Sequence, residues 1–108
     1  MVKIYVPDMN DSVGKITLDG KNYNIRFTYN ASGDYWSFGL YTVDMDPILP
    51  MTKIVPDFLM LFPYRYTDLP EGQFYCYTQK DSVGRRDFAD DQAYFMYLQK
   101  EEISAQLD

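Results

Sequence analysis

The chain has no histidine and a single cysteine, Cys76. Without histidine there is no Ser-His-Asp triad, no Cys-His dyad, no imidazole metal ligand and no imidazole pH switch. With one cysteine there is no internal disulfide and no thiolate zinc site. Positive charge is also short: 10 Lys and Arg stand against 16 Asp and Glu, a formal net charge of -6. Such a chain is a poor general nucleic-acid binder, because affinity for phosphate comes mainly from counterion release. Long apolar runs are missing. The longest, Phe58-Leu59-Met60-Leu61-Phe62, is far short of the roughly 18 residues a spanning helix needs and suits a buried strand. Lys3 and Asp8 interrupt the apolar start, so no signal peptide is expected and synthesis in a cytoplasm is the default. The N-x-S sequons at Asn10 and Asn30 then read as chance matches.

What the chain has in plenty is aromatic residues: 11 Tyr, 7 Phe and 1 Trp in 108 residues. Each ring buries roughly 150–250 Å², so a core is affordable even in a short chain. That length predicts one domain, with its core over about residues 2–98 and a polar tail over 99–108. A domain this small gains from self-association, because it buries a smaller share of its surface than a large one.

Period-2 alternation dominates. Val2, Ile4 and Val6 form a first strand that ends at Pro7. Ile16 and Leu18 lead into Asp19-Gly20, the strongest short hairpin signal. In the returning strand, residues 21–30, Tyr23, Ile25, Phe27 and Tyr29 share one face. Residues 35–43 place Trp36, Phe38 and Leu40 together, and Gly39 in mid-strand predicts a bulge or a close backbone approach. Asp44-Met45-Asp46-Pro47 reads as a turn. Short strands are expected near residues 51–55 and 58–62, then a loop over 67–72, strands over 73–78 and 93–98, and an exposed polar loop over 80–91. The tail reads as a short helix or a frayed end. Seven or eight short strands joined by hairpin turns predict an all-β domain, a compact antiparallel β-barrel or β-sandwich.

Few residues suggest chemistry. Asp44 and Asp46 share a D-x-D spacing, but the further oxygen ligands of a calcium loop are absent, so they read as turn-forming acids. Asp90-Asp91 would point to opposite sides of a strand, whereas paired catalytic carboxylates must converge. Cys76 has no base beside it and reads as a small buried hydrophobe. Arg85-Arg86 is the basic pair; it could meet a phosphate or carboxylate on a partner, but the surrounding acids favour a salt-bridged loop. No cofactor and no metal are expected. Core packing explains Phe27, Trp36, Phe38 and Phe95, but less readily Tyr35, Tyr41, Tyr75 and Tyr77, which fall on the other strand faces. Tyrosine is favoured where an apolar body is buried and a polar tip stays wet, so these four, with Arg85 and Arg86, form the candidate interface. An OB-type single-strand nucleic-acid binder would use the same rings for stacking, but residues 23–40 hold Arg26 as their lone cation, which makes no positive groove.

The order of motifs resembles a known family. Leu18-Asp19-Gly20-Lys21-Asn22-Tyr23, Phe27-Thr28-Tyr29-Asn30 and Gly33-Asp34-Tyr35-Trp36-Ser37-Phe38 are followed by Leu69-Pro70-Glu71-Gly72-Gln73-Phe74-Tyr75-Cys76 and Ala93-Tyr94-Phe95-Met96-Tyr97-Leu98. The sequence is similar over residues 13–98 to the baseplate plug proteins of contractile-tailed phages. It departs from the pattern at Asp44-Met45-Asp46-Pro47 and at Asp87-Phe88-Ala89-Asp90-Asp91, where many members carry glycine. The resemblance implies a non-enzymatic virion protein of the tail baseplate, closing the tail channel before ejection. It implies a homo-oligomer and hub or tail-tube proteins as partners, with no membrane, no specific nucleic acid and at most passing contact with genomic DNA. Another small tail component, a tube or tail-completion protein, is the nearest alternative.

Overall fold

The computed structural model describes residues 2–57 and 70–102. Seven strands follow in chain order: β1 (Val2–Ile4), β2 (Asp11–Leu18), β3 (Lys21–Asn30), β4 (Tyr35–Tyr41), β5 (Pro47–Lys53), β6 (Gln73–Thr78) and β7 (Ala93–Leu98). They form two antiparallel sheets, one ordered β1-β7-β6 and the other β2-β3-β4-β5. The architecture is a sandwich rather than a closed barrel. The chain starts in the three-stranded sheet, crosses to build the four-stranded meander, then returns to add β6 and β7.

Local chemistry explains most of these elements. Asp19 and Gly20 both have positive φ, 53° and 78°, as a two-residue type I′ turn requires, and β2 and β3 pair in unbroken register from Leu18↔Lys21 to Asp11↔Thr28. At Gly39 the ladder between β4 and β5 slips out of register. A Cβ there would sit 3.3 Å from the Leu49 carbonyl and 2.6 Å from the Met51 sulfur, so the glycine permits the close approach expected of it. β5 carries Pro47 and Pro50, which an edge strand tolerates because it needs donors on one side alone.

The sheets meet through rings. Phe27 lies edge-on to Phe95 at 5.5 Å, and Phe38 packs on Phe74 and Phe95 at 4.8 and 5.0 Å between centroids. Trp36, Leu18, Leu40, Leu49, Cys76 and Tyr97 complete the innermost layer. Such offset and edge contacts add about 0.5–1.5 kcal/mol each beyond the buried area.

Four expectations change. The second strand reaches back from Ile16 and Leu18 to Asp11, a reach the alternation hides because Val13 is out of phase and Gly14 has no side chain. The fifth strand spans Pro47–Lys53 rather than 51–55, its prolines sitting inside the ladder instead of ending it. The first ladder stops at Ile4, although Val6 remains buried. Most notably, the 80–91 segment is not simply exposed: Val83 and Asp87 are buried and Phe88 packs on Trp36 at 5.8 Å, so its turns close one end of the core. The strand expected at 58–62 and most of the 67–72 loop lie outside the described residues, as does most of the tail. A helical turn covers residues 100–102.

Candidate interaction surfaces

Strand alternation sends Trp36, Phe38 and Leu40 inward, so Tyr35 and Tyr41 stand on the outer face of the four-stranded sheet. The Lys53 ammonium lies 5.0 Å above the Tyr35 ring, and the Tyr35 hydroxyl accepts from Asn30 Nδ2 at 3.2 Å. Tyr41 Oη approaches Met51 Sδ at 3.8 Å. By the same alternation, Tyr75 and Tyr77 stand on the outer face of the three-stranded sheet. Tyr75 donates to Asp57 Oδ1 at 2.8 Å; that bond and partial burial push its phenol up to about 12. Tyr77 keeps 46% of its surface exposed and lies opposite Tyr94 in the ladder.

Arg85 and Arg86 occupy the capping turns after β6. Arg85 Nε donates to Asn10 Oδ1 at 2.6 Å and its Nη1 to Asp8 Oδ1 at 2.7 Å, while the guanidinium lies 5.5 Å from the Trp36 ring centre. Arg86 reaches the other Asp8 oxygen at 2.6 Å and Asp90 at 3.2 Å. Both arginines therefore converge on one carboxylate, and their hydrogen bonds hold Asp8 below the usual carboxylate range. A salt-bridged loop was expected on local acids; Asp90 fits that, whereas Asp8 comes from the connection between β1 and β2. The pair thus ties the 80–91 turns to the start of the chain.

The six candidate residues fall on three surfaces: Tyr35 with Tyr41, Tyr75 with Tyr77, and Arg85 with Arg86. They form no single patch. Sequence alternation located the outer faces but could not say that the two tyrosine pairs sit on opposite sheets. It also missed Val2, Tyr5 and Val13, which are exposed beside the β1 and β2 edges, Tyr5 at 79% and Val13 at 52%. Val13 gave no such signal, because it falls on the exposed Lys15 and Thr17 face of β2, out of phase with Ile16 and Leu18.

Cys76 is fully buried, and desolvation, with the Asp57 and Asp87 charges, pushes its thiol up to about 12. Asp44 and Asp46 are exposed; the 42–46 turn is held by Thr42, whose Oγ1 accepts from Asp46 N at 3.1 Å, and the positive φ falls on Met45. Among the described residues no three His, Cys, Asp or Glu side chains are grouped to hold a metal ion.

The fold defines a class first: small antiparallel β-sandwich proteins whose aromatic residues fill the core and also stud both outer sheet faces. Within it, residues 1–101 match the family model described as cyanophage baseplate Pam3 plug gp18, and the chain belongs to that family. It is a phage baseplate structural protein, and its place is the tail baseplate of the virion. No curated protein matches the chain.

Proposed function

We infer that the protein is the plug subunit itself: a non-catalytic part that closes the tail channel at the baseplate, packing against hub or tube proteins and against further copies of itself. The observation that carries this reading is the family match over residues 1–101. Tyr35, Tyr41, Tyr75 and Tyr77 suit such packing, because partly wet tyrosines bury area at small entropic cost. The net charge of -6 suits a surface past which DNA must slide, since like charge disfavours adsorption. Asp81 and Asp91 are the acids of the 80–91 turns outside any ion pair among the described residues, so they suit a charge test best.

The role is tested by imaging tails assembled with and without the protein. Loss of density on the channel axis at the baseplate, with early DNA release, is expected when it is absent. Unchanged axial density, or absence of the protein from purified baseplates, would overturn the assignment. In particles carrying Asp81→Asn with Asp91→Asn, DNA retention should rise; unchanged retention removes the electrostatic part alone.

A further inference from the structure

Among the described residues, each sheet edge but one is short, blocked or covered. β5 is broken by Pro47 and Pro50. β1 has three residues and soon meets Pro7. β6 is bridged at Cys76 by Pro56, and Asp57 N donates to the Cys76 carbonyl at 3.1 Å. β2 runs eight residues without proline, and no element pairs with its far side.

The direction of its free groups follows from the hairpin. In a two-residue hairpin the closing pair, Leu18↔Lys21, exchanges both hydrogen bonds, so Ser12, Gly14, Ile16 and Leu18 point their backbone groups at β3. Two contacts agree: Tyr29 N donates to the Asn10 carbonyl at 2.8 Å, and the Thr17 and Asn22 side chains bond at 2.7 Å, as a non-hydrogen-bonded pair allows. Asp11, Val13, Lys15 and Thr17 therefore present N–H and C=O groups outward. A groove of about 230 Å³ lies beside this edge, lined in part by Val2, Tyr5 and Ile16.

We propose that β2 pairs antiparallel with β2 of a second copy about a two-fold axis at Val13, joining two four-stranded sheets into one of eight. The self-association part of the proposed function underlies this, and the pairing names its surface. The occupant follows from charge. With Val13 opposite Val13, Asp11 of each copy lies opposite Lys15 of the other, twice over, and Ser12 faces Gly14 without crowding. Asp11 already accepts from Arg26 at 2.7 Å, so each contact is a row of cation, anion and cation. Sliding by one allowed step toward Thr17 parts the charges, and a second step sets Lys15 against Lys15. Like charges directly opposite destabilise a ladder.

Velocity sedimentation of the full chain over a concentration series tests this, with Val13→Pro as the first variant. Proline at position 13 removes the outward donor and leaves the β2–β3 bonds, so dimerisation should weaken about tenfold or more. Lys15→Glu should weaken it as well. Oxidation of Val13→Cys should give a covalent dimer, because paired Cα atoms would lie about 5.5 Å apart, within disulfide reach. Thr17→Cys should not cross-link, since its counterpart would be roughly 27 Å away. An oligomer that survives Val13→Pro and does not cross-link at Val13→Cys overturns this pairing and leaves self-association standing. A monomer at every concentration overturns both, leaving the edge for a strand of another protein.

Discussion

The Tyr97 hydroxyl accepts the Gly72 N–H at 2.8 Å and donates to the Asp19 carboxylate, so one phenol joins β7, the β2–β3 turn and the approach to β6. Burial and the Asp19 carboxylate push its ionisation upward, and it stays a donor at any ordinary pH. Tyr97→Phe keeps the ring but leaves a buried N–H unpaired. A loss of about 1–3 kcal/mol is expected, read as a melting point lower by roughly 4–8 °C per kcal/mol. Asp87 plays a similar part in the capping turns, accepting from Lys80 Nζ and Gly84 N, both at 2.7 Å. Its desolvation raises the pKa, but those two bonds outweigh it and leave the folded value below the ordinary 3.8. A depressed folded value gives stability that is full above the unfolded pKa and lost as pH falls through the folded one. Melting should therefore worsen below pH 3.8, and Asp87→Asn should lower the melting point at neutral pH while flattening that acid decline. An equally steep decline in the variant would place the acid sensitivity elsewhere.

Between elements, glycine sets how closely the backbones approach. A Cβ at Gly72 would lie 2.1 Å from the Leu98 carbonyl and 2.6 Å from the Tyr97 ring, both belonging to β7. Neither can retreat without disturbing the ladder, so Gly72→Ala should cost at least the upper end of about 1–3 kcal/mol. Gly39→Ala should cost less, because its nearest obstacle is the movable end of Met51. Chemical denaturation of both variants checks the order, and an equal loss would refute it. The same contrast marks what could be read from sequence. The β3, β6 and β7 boundaries and the Asp19-Gly20 hairpin were legible because alternation and turn chemistry are local. The buried Val83 and Asp87 and the half-buried Phe88 were not, because polar neighbours surround them and the ring that Phe88 meets, Trp36, lies some fifty positions away. The Asp8 clamp on Arg85 and Arg86 escaped for the same reason: it is nearly eighty residues distant. Of the interface candidates, alternation located the outward tyrosines, whereas their division between opposite faces depends on which sheet each strand joins.

For the whole molecule, Cys76 offers a direct readout. It is fully buried at the centre of β6, and its thiol is pushed up to about 12. A thiol reagent at neutral pH should label it at the rate of global unfolding and no faster. Rapid labelling without denaturant would instead reveal local opening of β6. Strand order also has a consequence in time. The four-stranded meander is contiguous in the chain, whereas the sheet that covers it needs β1 from one end and β6 with β7 from the other. During synthesis the meander can assemble while β1 waits for more than ninety residues to leave the ribosome before Ile4 finds Phe95. Phe27, Trp36 and Phe38 stay uncovered through that interval, an aromatic face open to any neighbouring nascent chain. Slowing translation across the last third of the message is therefore expected to lower the soluble fraction of the protein, and an unchanged soluble fraction would refute that order of assembly.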